Sequence, residues 1–332
     1  MKIGKLVSIL ALAGIATPVL ATNGYLQHGY GVKSQGMAGV GIAMPQDSLA
    51  AATNPAGMVM VGDRMDIGLI WFRPNRSAKL ETGYPPINGS YSGNDTENFF
   101  IPEFGYNRMI SPTMSVGVSV YGNGGMNTDY KKGIPLFGTS RAGVDLSQLF
   151  IAPTFAIQVA PGQALGISLN LAYQRFEAKG LQNFAGPCPS CFSSSPGNVT
   201  NRGNDSSTGW GVKVGYTGKI TDAVTIGATY QSKTHMGEFD KYKGLFAGKG
   251  DFDIPETYGI GVAFKAMPAL TVAFDVQRIN YSDVDSVGNK VDCLFAGMCQ
   301  VGSSNGAGFG WRDMTAYKLG VSYDYSKLTP SL

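Results

Sequence analysis

The chain has 332 residues, with 46 glycines, 16 tyrosines, 17 phenylalanines and only 15% charged side chains. Its 26 Lys+Arg against 23 Asp+Glu give a net charge of +3, too weak a field to support nucleic-acid binding. Past the N-terminus no apolar run reaches the roughly 20 residues that a spanning helix needs, so a helical membrane protein is excluded as well.

Met1 to Ala21 reads as a secretory signal. Lys2 and Lys5 form the positive start, Leu6 to Ala16 the apolar stretch, Pro18 a break, and Val19-Leu20-Ala21 the cleavage positions. That apolar stretch is too short to cross a bilayer. Removing the signal would leave 24 cations against 23 anions, and it sends the mature chain to the periplasm, the medium or the outer membrane. Residues 22–62 are rich in Gly and Ala and lack alternation; they read as a compact segment outside any sheet, with a short helical turn near Ser48–Ala52 before Asn54-Pro55.

Ten alternating stretches follow. They are expected at Arg64–Arg76, Asn98–Met109, Thr113–Gly122, Val144–Val159, Ala164–Lys179, Thr208–Lys219, Ala223–Thr234, Asp253–Ala266, Ala269–Asn280 and Asp313–Tyr325. In the fifth, Leu165, Ile167, Leu169, Leu171 and Tyr173 share one face, while Gly166, Ser168, Asn170, Ala172 and Gln174 share the other. Short connections with turn chemistry (Ile110-Ser111-Pro112, Ala160 to Gln163, Ile220-Thr221-Asp222, Met267-Pro268) alternate with long ones at about 77–97, 123–143, 180–207, 235–252 and 281–312. A soluble sandwich has no reason to gather its long loops at one end; a transmembrane antiparallel β-barrel does. Trp71, Phe72, Tyr84, Phe99, Phe100, Trp210, Tyr281 and Trp311 near strand ends suit interfacial girdles.

Little in the chain suggests catalysis. Gly302 to Gly306 matches a Gly-x-Ser-x-Gly pattern around Ser304, but in a Gly/Ser loop without a following helix. His28 and His235 are the only histidines, and neither sits in a Ser/Asp constellation; no enzyme, metal or cofactor is expected. Four cysteines form two close pairs in long loops, and an exported chain meets an oxidising compartment, so disulfides Cys188–Cys191 and Cys293–Cys299 are expected.

Gly29 to Asp47 (GYGVKSQGMAGVGIAMPQD), followed by Ala50 to Met58 (AAATNPAGM), resembles the start of the FadL-type outer-membrane transporters of long-chain fatty acids and other hydrophobic compounds. Asp63 to Pro74 looks like their first strand, and Asp253-Ile-Pro-Glu-Thr-Tyr258 is similar to another recurring segment. The resemblance implies a fourteen-stranded barrel closed by an N-terminal hatch, with cargo captured in external loops and released sideways at a kink in the third strand. It divides the chain into a signal (1–21), a hatch (22–62) and a barrel (63–332). Asn54, Pro55 and Ala56 then belong to the hatch motif, and Thr113 to Gly122, running into Asn123-Gly124-Gly125, becomes the kinked strand. Gly122, Gly124 and Gly125 suit a bend, since glycine tolerates bulges. Phe137, beside Tyr130, Lys131, Lys132, Ile134 and Leu136, is a loop residue suited to an amphipathic ligand. Only ten of fourteen strands are visible, so the sequence is expected to stop short of closure. The implied protein is a monomer whose partners are fatty acids, outer-membrane lipid and lipopolysaccharide, with aromatic hydrocarbons as the other cargo. A general porin and an outer-membrane lipase are the readings from other classes.

Overall fold

A computed structural model describes residues 23–81, 88–138, 140–185 and 192–324; the expected signal segment, Tyr84 and the Cys188–Cys191 pair lie outside them. Thirteen strands run in chain order: β1 Arg64–Phe72, β2 Ser77–Leu80, β3 Gly89–Ser92, β4 Phe99–Ser111, β5 Met114–Tyr130, β6 Ala142–Ala160, β7 Gln163–Lys179, β8 Asp205–Lys219, β9 Val224–Gln231, β10 His235–Met236, β11 Thr257–Met267, β12 Leu270–Ile279 and β13 Met314–Tyr323. Ten of them form one antiparallel meander in the order β1-β4-β5-β6-β7-β8-β9-β11-β12-β13; β10 adds to β8, and β2-β3 is a hairpin inside a long loop. Among the described residues β1 and β13 do not pair with each other.

The two faces of this sheet are inverted relative to a soluble protein. On β7, Leu165, Ile167, Leu169, Leu171 and Tyr173 are 40–49% exposed, whereas Ser168, Asn170 and Gln174 are buried. A chain that turns its leucines out and its glutamine in is solvated by hydrocarbon. No helix among the described residues is long and apolar enough to cross a membrane, so the crossing is made by strands.

Inside the curved sheet lies the segment from Asn23 to Asp63, built of short helical turns at Val32–Gly36, Ala50–Ala52, Pro55–Gly57 and Met58–Val61. Val40, Ala51, Ala52, Ala56 and Met58 in it are almost fully buried. The small side chains expected to make a compact segment do so because each sits against the small inward residues of the wall.

The strand bounds depart from the periodicity at one telling place. The third long strand does not end at Gly122 but continues to Tyr130, eight residues beyond its expected end. It survives the Gly-rich stretch by a bulge at Asn123, where Gly122 pairs with Leu149 and Gly124 with Gln148. Alternation is lost through such a bulge, so the period-2 reading stopped there. Likewise Asp253 to Glu256 precede β11, and the expected 223–234 strand ends at Gln231, with the two-residue β10 starting just beyond it.

Candidate functional site

The wall is incomplete between β4 and β5. Their ladder runs from Ser111–Met114 up to Phe104–Val120 and stops. Above it, among the strands of the meander, Phe99 to Glu103 pairs with β1 and Tyr121 to Tyr130 with β6, but not with each other; further out, Asp129 bridges Asn94 of the β3–β4 loop. Two sets of backbone groups face each other without bonding, which in hydrocarbon costs several kcal/mol per group unless something else satisfies them.

The N-terminal segment supplies part of that satisfaction. The Gly125 amide donates to the Tyr25 carbonyl at 2.8 Å, and the Gln27 amide donates to the Asn123 carbonyl at 3.3 Å. Leu26 and Gly124 form an isolated antiparallel bridge. Gly124 is needed for this approach, because a Cβ there would run into the Tyr25 carbonyl. A Cβ on Gly122 would lie 2.7 Å from Ile101 Cγ2 on the β4 side, so these two positions are the facing lips of the gap. Tyr30 donates to the Asn123 carbonyl and side-chain oxygens at 3.4 and 3.3 Å. Burial pushes the Tyr25 and Tyr30 phenols well above their ordinary range, with Tyr281 adding to it, so the strap over the gap stays neutral. At the outer end of the gap Arg76 closes the frame, donating to the Asn127 carbonyl and to Asn127 Oδ1 at 2.5 and 2.7 Å.

The rest of the hatch is held by side chains of the wall and by its own Asn54. Asn54 Nδ2 donates to the carbonyls of Ile42 at 2.7 Å and Tyr216 at 2.9 Å and to Thr217 Oγ1 at 3.1 Å, while Oδ1 caps the turn at Ala56 N. Gly166 on β7 and Gly215 on β8 leave the room that Pro55 and Asn54 occupy. Asn54, Pro55 and Ala56 therefore sit at the hatch-to-wall contact, while Gly122, Gly124 and Gly125 sit together at the gap. Phe137 lies apart from both, in the outer loop, with its ring 6.0 Å from Phe184.

The alternation predicts inward faces mostly of Gly, Ser, Thr, Ala and Gln, with Lys213 in the polar phase of its strand, but assigns no role to the charged residues there. Glu103 accepts from Gly31 N at 3.0 Å, Asp275 from Gly41 N and Ile42 N at 2.8 and 3.1 Å, and Asp66 from Ser48 N at 3.0 Å. Three wall carboxylates thus hold main-chain amides at bends of the hatch. Lys213 donates to the Ala52 carbonyl and lies 6.0 Å from the Tyr30 ring centroid. The available signal was a lone charge in the polar phase of an otherwise alternating run: Glu103 in Phe-Ile-Pro-Glu-Phe, Lys213 in Gly-Val-Lys-Val-Gly, Asp275 in Ala-Phe-Asp-Val-Gln.

Between hatch and wall remains a cavity of about 20 Å³, lined by Tyr30, Thr53, Lys213, Gln231, Gln277 and Lys318 among others. That is room for roughly one water, against the several hundred Å³ of a small-molecule site. Lys318 donates to Gln277 Oε1 at 2.9 Å. Lys213 has no carboxylate within ion-pair distance among the described residues.

Above the hatch the outer loops pack into an aromatic cluster. Tyr25 meets Phe252, Tyr281 and Trp311 at ring distances of 5.8, 5.4 and 6.1 Å, and Phe176 meets Phe246 at 4.6 Å. Next to Phe252 in the chain, Asp251 is pushed up to about 6 by burial and by the nearby Asp253, with Lys233 opposing and Asp285 adding. The Cys293–Cys299 disulfide is formed, in the loop that pairs at Val301 with Ser193. Ser304 lies in an exposed turn without the strand-turn-helix setting of a nucleophile.

A family model described as outer membrane protein transport protein (OMPP1/FadL/TodX) matches residues 13–329. Among solved structures, the toluene transporter TodX of Pseudomonas putida aligns with 19% identity and a TM-score of 0.66, covering 91% of this chain and 81% of that one. The toluene transporter TbuX of Ralstonia pickettii aligns with 19% identity, TM-score 0.61 and coverages of 90% and 83%. A FadL homologue of Pseudomonas aeruginosa aligns with 14% identity, TM-score 0.60 and coverages of 91% and 78%. At these identities the likeness speaks for the fold. No curated protein sequence matches.

Proposed function

We propose, from the premise that the chain belongs to the outer membrane transport protein family (OMPP1/FadL/TodX), that it takes up long-chain fatty acids passively and releases them sideways through its wall. That it is an outer-membrane β-barrel transporter of hydrophobic compounds follows from the family; cargo and route are the proposal. The observation that carries the route is the interrupted β4–β5 ladder with the chain's own Tyr25 to Gln27 laid in it. A porin would need an open lumen, and here the hatch lies inside the curved sheet, bonded to its wall through Asn54, Glu103, Asp275 and Lys213. Passage therefore requires the hatch or its strap to move, with the energy of cargo binding driving the shift.

The cargo reading rests on Lys213 and Lys318. A fatty acid brings an acyl tail and a carboxylate, and a buried ammonium without a carboxylate partner is suited to receive the second. The other reading, uptake of aromatic hydrocarbons, is favoured by the aromatic cluster over the hatch and by the toluene transporters among the similar folds.

The test uses intact cells. Uptake of labelled oleate and labelled toluene is compared with and without the gene, and oleate uptake should fall on deletion. The double variant Ile101→Cys, Gly122→Cys places thiols on the two lips. Oxidation should block uptake and reduction should restore it. Uptake indifferent to a formed crosslink refutes lateral release, and a steady large conductance in planar bilayers would return the porin reading.

A further inference from the structure

The membrane-facing surface of β6, β7 and β8 is not evenly convex. Between Tyr173 and Trp210 lies a groove of about 670 Å³, walled also by Leu149, Ile151, Leu169 and Leu171. Leu169, Leu171 and Tyr173 are the outward phase of β7 and are 40–46% exposed; Trp210 on β8 is 58% exposed. The transport route uses none of this surface, since the wall gap lies between β4 and β5. The volume is that of a small-molecule site and most of the walls are apolar, with Thr208 and the exposed His235 of β10, 3.4 Å from Asp253, on the β8–β10 side; apolar walls of this size suit an acyl chain.

What stands above the groove identifies the lipid. Continuing the same outward phase of β7, two residues past Tyr173, is Arg175, which faces Ser147 across the β6 pairing. Its guanidinium is 47% exposed and makes one approach to Asp145, at 3.3 Å. A fork with five donors and a single long contact has most of its donors turned to the surroundings. Lys179, again in phase, follows near the end of the strand, 3.1 Å from Glu177. The short turns lie at the opposite end of these strands, so this is the outer-leaflet end. Aromatic rings at the interface, a cation just beyond them and apolar volume below match an amphipathic molecule with a phosphate over its chains.

We propose that the outer face of β6–β8 is a binding site for a phosphorylated outer-leaflet glycolipid of the lipid A type, with an acyl chain in the groove beside Trp210 and its phosphate on Arg175. Asp145, Glu177 and Lys179 complete the charged rim above the aromatics.

The full chain, purified in mild detergent, is titrated with bis-phosphorylated lipid A and bound lipid is counted by native mass spectrometry. Arg175→Ala should weaken binding about five-fold, the effect of one surface cation on an anionic lipid. Lys219→Ala, removing a cation at the short-turn end, should leave binding unchanged. Dephosphorylated lipid A should bind the unaltered protein as weakly as the phosphorylated form binds Arg175→Ala. Equal binding of the two lipids, or no change in Arg175→Ala, overturns the phosphate contact. Phosphatidylglycerol bound as tightly as lipid A overturns the assignment to a glycolipid. At one equivalent, lipid A with brominated chains should quench tryptophan fluorescence, and Trp210→Phe should remove most of that quenching. Quenching that survives Trp210→Phe overturns the groove.

Discussion

Gly124→Ala tests whether the strap over the wall gap is the gate. The Tyr25 carbonyl stands where the new methyl would go, and its carbon is 3.0 Å from that position. Backbone on both sides has little give, so the strap must lift. Lifting it sacrifices the Gly125–Tyr25 and Gln27–Asn123 hydrogen bonds. At about 0.5–1.5 kcal/mol each, that is about 1–3 kcal/mol, or roughly a five- to 150-fold rise in the open population. Amide hydrogen exchange reads this directly: the Gly125 and Gln27 amides, the donors of those two bonds, should quicken by that factor while amides of Ile42 and Ala52 keep their protection. Initial oleate uptake should rise in step, because the strap no longer competes for the gap. Gly36→Ala is the control, since a methyl there meets nothing within 4 Å. Unchanged exchange at Gly125 and Gln27 would refute the steric argument. Faster exchange with unchanged uptake would refute the strap's place in the route.

Asn54→Ala removes four hydrogen bonds of a side chain that is 1% exposed, so the hatch should loosen by about 2–6 kcal/mol, read as faster exchange across residues 42–56 and a new leak conductance. Lys213→Gln should lower oleate uptake several-fold and leave toluene uptake unchanged; equal losses of both would sink the carboxylate role. Glu103→Ala should free the Gly31 amide, whereas Glu103→Gln keeps an acceptor and should preserve its protection. Asp251 titrates at about 6, above an ordinary carboxyl near 4, because burial and Asp253 disfavour its charge. The packed loop thus holds a proton that the opened loop releases, so packing is strongest below pH 4 and weakens as pH rises through 6. Exchange of amides 239–254, corrected for intrinsic rate, should quicken from pH 5 to 7.5, and Asp251→Asn should flatten the dependence.

How far the chain can be read without its fold varies from place to place. The outward leucines of β7 and the inward Ser168, Asn170 and Gln174 were legible because strand side chains alternate regardless of what the strand pairs with. The short and long connections, the Cys293–Cys299 pair and the hatch composition were legible for the same local reason. The continuation of β5 past Gly122 was not, because a bulge breaks the period and only the β6 partner shows that pairing resumes at Gly124. Nor were the roles of Glu103, Lys213 and Asp275, each of which binds hatch backbone distant in sequence.

By itself, then, the sequence determined which face each residue of a strand would show, where the chain turns, and that an N-terminal piece would lie outside the sheet. Those are properties of neighbours along the chain. Only the tertiary structure decided where the wall stays open, that Tyr25 to Gln27 fill the opening, and that Asn54 anchors the hatch at Gly166 and Gly215. A gap is the absence of a bond between residues about twenty positions apart, and a local pattern carries no record of a bond that does not form.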